Sequence, residues 1–136
     1  MEINIKEGIE NTLTKTVGER DSAANHGSGL LPVFATPAMV AFMEQTAHLS
    51  VGDLLPQGYT TVGIEINVKH IKATPMNMQV RCQSTLTKVD GKRLYFDIKA
   101  YDEVAQIGEA THIRYIVESE KFMSKINNTY QKTSAQ

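Results

Sequence analysis

The sequence predicts an α+β fold, one long helix packed against an antiparallel sheet. Three observations lead there. The run Thr36-Pro37-Ala38-Met39-Val40-Ala41-Phe42-Met43-Glu44-Gln45-Thr46-Ala47 starts like a helix and stays apolar nearly all round. From residue 60 onward the hydrophobic period changes to two, in four successive segments. Two of these segments meet at Asp90-Gly91, a strong signal for a two-residue hairpin. A helix wrapped by an antiparallel sheet is one way to bury both apolar surfaces in a single core.

The 136 residues fit one domain, large enough for a real core, expected over residues 1–128 with a polar tail over 129–136. Hydrophobic residues make up 41% and charged residues 21%, ordinary values for a globular protein. A net charge of −1 leaves no basic footprint for nucleic acid. The single cysteine, Cys82, excludes an intramolecular disulfide and a thiolate zinc cluster, and reads as a small buried strand residue. No stretch approaches the ~18 apolar residues of a membrane span. The first residues, Met-Glu-Ile-Asn-Ile-Lys-Glu, contain no apolar signal core, so a cytoplasmic location is expected.

The elements follow in order. Residues 1–17 alternate loosely through Ile3, Ile5, Ile9, Leu13 and Val17 and read as one edge strand or two short ones. Residues 18–32 carry Gly18, Gly27, Gly29 and Pro32 and read as a loop of flap length. Thr36 is a good N-cap and Pro37 a good first helical residue, so the helix should run from about Pro37 to Val51, with Gly52 near its end. Its apolar residues keep to no single stripe, which predicts a helix surrounded by protein. Strands follow over 60–72, 79–89, 92–102 and 106–118. Val62, Ile64, Ile66 and Val68 should share one face, as should Val80, Cys82, Ser84 and Leu86, and Leu94, Phe96, Ile98 and Ala100. Residues 120–128 look weakly helical. A sheet of this size has edges to cover, and dimerisation is one way to cover them.

Glu44 is the residue that asks for an explanation. A carboxylate in so apolar a helix is expected to be sheltered from water, which costs several kcal/mol unless it is paired, hydrogen-bonded or protonated. It is either a paired structural carboxylate or a working one. Thr36 lies eight positions earlier, ~12 Å along the axis, so both can border one pocket, although spacing alone does not require it. His70, between Lys69 and Lys72, reads either as a solvated strand residue or as an acid/base group. Gly63 interrupts a β-branched strand. It marks either a bulge or a place where something approaches the backbone, whose N–H can then bind a developing oxyanion. Arg114 and His112 share a face. Turned inward, Arg114 is a partner for a carboxylate or phosphate; turned outward, it is a surface cation. His48, four residues after Glu44, is within reach of a helical hydrogen bond to it. His26 carries no spacing signal. No metal-ligand spacing, phosphate loop or nucleophile elbow is present, and no cofactor is expected. On these parts alone the reading stops at a small α+β protein with an acid/base pocket.

The block Val33-Phe34-Ala35-Thr36-Pro37 through Glu44 resembles the central helix of hotdog-fold acyl-CoA thioesterases, and more narrowly the fluoroacetyl-CoA thioesterase group. The similarity continues through Thr61-Val62-Gly63-Ile64, the segment Val68 to Pro75, Asp90 to Leu94, Ile107-Gly108, Thr111 to Arg114 and Glu120-Lys121-Phe122. It spans roughly residues 33–125.

The resemblance implies a hotdog fold and a homodimer whose sheets join edge to edge, with active sites at the subunit interface and a higher oligomer left open. It implies hydrolysis of an acyl-CoA with a short or medium acyl chain. Thr36, Glu44 and His70 would be catalytic. Glu44 would be the nucleophile or the general base on water, His70 would move protons, and Thr36 would bond the reacting groups or attack. Gly63, Arg114 and Phe34 would bind substrate, Gly63 through its N–H. Lys69, Lys72, Lys92 and Arg93 are available for the CoA phosphates, or form a solvated face. Two departures stand out. Pro37 follows the Thr where the fluoro-selective enzyme is expected to have glycine. The flap Gly27-Ser28-Gly29-Leu30-Leu31 lacks aromatic side chains. Both predict a broader or different acyl chain than fluoroacetyl. A non-catalytic acyl-thioester-binding protein and a dehydratase of 3-hydroxyacyl thioesters are the competing readings.

Overall fold

A computed structural model describes residues 3–134. Among them, β1 (Glu10–Thr16), β2 (Tyr59–His70), β3 (Gln79–Asp90), β4 (Arg93–Tyr101) and β5 (Gln106–Glu118) form one curved antiparallel sheet in the order β1-β3-β4-β5-β2. The helix α2 (Thr36–Gly52) lies across its inner face and touches all five strands. The short helix α1 (Ala23–His26) precedes it, and α3 (Ser119–Ser134) follows β5.

The core forms where the two periodicities meet. Ala38, Met39, Phe42, Met43, Ala47 and Val51 of α2 pack on Val80, Cys82 and Leu86 of β3 and on Leu94, Phe96, Ile98 and Ala100 of β4. The expected inner faces of β3 and β4 are therefore the observed ones. The hairpin between them is shifted by one residue. Asp90 pairs with Arg93, so the loop is Gly91-Lys92, and only Gly91 takes a positive φ, at 60°.

Four expectations need correction. First, α2 is not surrounded by protein within the chain: its apolar residues keep to no stripe, yet one side of it stays open. Pro37, Ala41, Gln45 and Leu49 form an exposed face, because the sheet wraps only the opposite side. Second, Glu44 is not sheltered within one chain. It sits on the flank between the buried and the exposed sides of the helix, with 39% of its side chain accessible. Third, β2 does not keep Val62, Ile64, Ile66 and Val68 on one face. A bulge between Gly63 and Glu65 leaves Ile64 unpaired and reverses the alternation. Thr61 and Gly63 before it, and Ile66, Val68 and His70 after it, stand opposite the inward residues of β5. Val62 and Ile64 turn to the outer face instead. There they line a groove of about 500 Å³ with Tyr115 and Val117 of β5 and Phe122 and Ile126 of α3. Fourth, residues 18–32 are not loop throughout. A turn of 3-10 helix at Glu19–Asp21 leads into α1, and the Ser22 hydroxyl accepts from Asn25 N–H to cap it. Only the tip projects, with Leu30 and Leu31 largely exposed.

The segment expected as a polar tail over 129–136 continues α3 as far as Ser134; residues 135–136 lie outside the described residues. No helix among the described residues is long and apolar enough to cross a membrane.

Candidate active site

The seam between α2 and β2 holds the candidate residues in two groups. At its first end, Thr36 begins α2. The N-cap is Ala35, one residue earlier than expected, and it supplies no side-chain cap. Pro37 follows directly and lacks the N–H that would otherwise need a partner there. The Thr36 hydroxyl is thus spared from capping and meets His70 Nδ1 at 2.8 Å. His70 ends β2. Its position is held by the next two residues, since Ile71 and Lys72 donate backbone N–H bonds to Ile107 O. Phe34, itself buried, meets the imidazole edge-on with centroids 6.4 Å apart. Burial lowers the His70 pKa; the Lys72 backbone opposes this without offering hydrogen-bonding geometry, so the ring is neutral near pH 7. Its Nε2 is shielded from solvent and has no partner among the described residues. Thr36, His70 and Phe34 border an open cleft of about 320 Å³ with Ala23, Ser28 and Val33.

At the other end stands Glu44, ~12 Å further along the axis. Arg114 faces inward, which resolves its two readings, and its Nη1 lies 3.6 Å from Glu44 Oε2. Arg114 Nε donates to Thr61 Oγ1 at 2.8 Å and Nη2 to Thr61 O at 3.1 Å. Nη1 donates to His112 Nε2 at 3.1 Å, and His112 Nδ1 donates to Glu65 O at 2.8 Å. Gly63 sits directly beneath the carboxylate. A Cβ there would stand 2.7 Å from Glu44 Oε2, 3.2 Å from His112 Cε1 and 3.3 Å from Arg114 Nη1. Gly63 therefore adjoins the bulge and also lies where another group closely approaches the backbone. His48 makes no hydrogen bond to Glu44; its Nδ1 is buried and unpartnered among the described residues.

One chain thus brings Thr36, His70 and Phe34 together, and separately Glu44, Gly63 and Arg114. It does not bring Glu44 to the Thr36–His70 pair. Of the expected cations, Lys69 and Lys72 belong to the His70 end, with Lys72 bonded to Asp102 at 3.0 Å. Lys92 and Arg93 belong to the hairpin at the opposite end, where Arg93 pairs with Tyr115. Thr61 and His112 were missed as site residues. The signal for His112 lay in its neighbours: Ala110 and Ile116 mark the inward face of β5, and the same alternation carries His112 and Arg114. Among the described residues no cluster of His, Cys, Asp and Glu could hold a metal ion.

Residues 17–120 match the family of fluoroacetyl-CoA-specific thioesterases. The chain belongs to that family. It is 38% identical over 103 residues to a fluoroacetyl-CoA thioesterase of Streptantibioticus cattleyicolor, covering 76% of this chain and 72% of that one. Its backbone superposes on a solved fluoroacetyl-CoA thioesterase with a TM-score of 0.86 at 30% identity, covering 92% of this chain and 97% of the other. A Thermus thermophilus thioesterase superfamily member gives 0.88 at 25% identity, covering 97% and 98%. The architecture is the hotdog fold. A variant of the fluoroacetyl-CoA-specific enzyme has been crystallised with fluoroacetate and CoA.

Proposed function

We propose that this protein is an acyl-CoA thioesterase whose site is assembled between two copies of the chain. The observation that carries the chemistry is the Thr36–His70 contact: a hydroxyl 2.8 Å from a neutral imidazole, beside an open cleft. Hydrolysis adds water across the C–S bond, with its oxygen going to the acyl carbon and its proton to the CoA sulfur. A neutral His70 is suited to take a proton from the attacking side and return it to the leaving thiolate. Thr36 holds the reacting group against it. The Glu44 carboxylate supplies the base or the nucleophile, and the Gly63 N–H the bond to the thioester oxygen.

The split along the seam is what favours a shared site. β2 is an edge strand of 12 residues whose outer edge has no neighbour among the described residues. If it pairs antiparallel with its own copy about a centre between Ile66 and Asn67, His70 of one subunit comes opposite Gly63 of the other. Glu44 of one subunit then reaches the Thr36–His70 pair of its partner. The same pairing covers the exposed flank of α2 and shelters the carboxylate.

On the side away from His70 and Phe34 the cleft carries the small residues Ala23 and Ser28 beside Val33, and the flap tip carries leucines, not aromatics. This supports short or medium acyl groups broader than fluoroacetyl. A thiol-release screen over acyl-CoAs of graded length tests the reading. Release from some member, nearly abolished by Glu44→Gln without loss of fold, is expected. Saturable binding without release would favour a binding protein, and water loss from a 3-hydroxyacyl-CoA a dehydratase.

A further inference from the structure

We propose that His112 is a positioning residue for the Glu44 carboxylate, acting through Arg114; the catalytic meaning of this rests on the thioesterase reading above. Arg114 lies at 7% exposure between three elements and can only donate hydrogen bonds. Thr61 takes Nε and Nη2, which fixes one edge of the guanidinium. Nη1 is left between two acceptors, His112 Nε2 at 3.1 Å and Glu44 Oε2 at 3.6 Å. The shorter contact sets where that nitrogen sits, and therefore how far Glu44 is drawn toward it.

His112 can serve as an acceptor only in one state. Its Nε2 must carry the lone pair, so its Nδ1 must carry the proton. The Glu65 carbonyl, 2.8 Å from Nδ1, takes that proton's hydrogen bond and selects the tautomer. This carbonyl lies just past the β2 bulge, where the ladder to β5 is interrupted. The ring is 1% exposed and lies 6.2 Å from Phe96, centroid to centroid, so it has little freedom to turn. Bulge, imidazole and guanidinium thus form one chain of contacts ending at the carboxylate. An apolar ring at position 112 would leave Nη1 with Glu44 alone, and the ion pair would tighten and pull the carboxylate from its place.

Kinetics of wild type, His112→Phe and His112→Gln on the most active acyl-CoA test this. His112→Phe is expected to lower kcat about 10- to 100-fold with KM little changed, the scale of a misplaced reacting group. His112→Gln, which returns an amide oxygen toward Arg114, is expected to recover most of the loss. In a Glu44→Gln background, His112→Phe should cost nothing further. Should His112→Phe fail to fold, His112→Asn keeps a donor for Glu65 without reaching Arg114 and should behave as Phe does. A folded variant with wild-type kcat, or an equal loss in the Glu44→Gln background, overturns the proposal. Nitrogen-15 NMR supplies a readout independent of turnover. The wild type should show His112 as the Nδ1–H tautomer, and Glu44→Gln should shift the Arg114 Nη signal. An Nε2–H tautomer or an unmoved Nη signal overturns the positioning role. A wild type that releases no thiol, yet passes both NMR tests, removes the thioesterase reading and leaves the positioning role intact.

Discussion

The Thr36 hydroxyl had two partners to choose between, the unpaired N–H groups of its own helix and the His70 ring. Ala35 takes the N-cap position and Pro37 removes one N–H, so the hydroxyl is free for the imidazole at 2.8 Å. Burial holds the His70 pKa below the ordinary histidine value of 6.5, which keeps the base form populated through neutrality. Thiol release should therefore be level around pH 7 and fall on acidification below about 6.5, as the ring takes up its proton. A pH–rate profile of kcat/KM checks this, and a fall beginning above pH 7.5 would contradict it. Gly63 makes the second prediction at this scale. The Cβ of Gly63→Ala would stand 2.7 Å from Glu44 Oε2, the free end of a flexible side chain. The same Cβ would stand 3.2 Å from His112 Cε1 and 3.3 Å from Arg114 Nη1, which are held in place, so these must give slightly while the carboxylate moves furthest. The fold should survive with a modestly lowered melting temperature, while turnover is expected to drop by about tenfold or more. Steady-state kinetics beside a thermal melt separates the two effects.

At the scale of elements, one strand end is tied down by a single carboxylate. Asp102, in the turn between β4 and β5, has a side chain fully shielded from solvent. Burial alone would raise its pKa. N–H bonds from Ala105 and Val104 to Oδ1, and contacts from Lys72 Nζ and the Thr74 hydroxyl to Oδ2, outweigh that and hold it at about 2. The turn is thereby tied to the segment just after His70. The folded pKa lies below the unfolded one, so the stabilisation is complete above pH ~4 and lost as pH falls toward 2. It amounts to roughly 2 kcal/mol. Asp102→Asn should cost a comparable amount at pH 7 and flatten the acid limb of the stability curve, as urea midpoints across pH 2–7 would show. The β2 bulge acts at the same scale. It turns Val62 and Ile64 outward beneath α3, and leaves Thr61 and Gly63 facing Arg114 and Glu44.

At the scale of the whole molecule, the separation of Glu44 from the Thr36–His70 pair yields the sharpest prediction. Glu44→Gln and His70→Ala should each be nearly inactive alone. Unfolded together and refolded, they form mixed dimers in which one of the two sites has every residue intact. Random mixing makes half the dimers mixed, so about a quarter of wild-type activity should return. No recovery from a verified mixed dimer would place all three residues within one subunit and remove the shared site.

The periodicities of the sequence determined the helix, the order of the four later strands, and the inner faces of β3 and β4, because burial alternates with local geometry and those strands contain no bulge within the matched stretches. The candidate residues were legible as types in suggestive places: an acidic residue in an apolar run, a glycine in a β-branched strand, an Arg two residues from a His. Tertiary structure decided the rest. A single inserted residue at Ile64 reverses a strand's faces, and no alternation pattern announces it. The exposed side of α2 followed from how far the sheet curls round it, and the grouping of Thr36 with His70, and of Glu44 with Arg114, from strands distant in sequence. Such pairings depend on register and packing between elements, which a local pattern cannot encode.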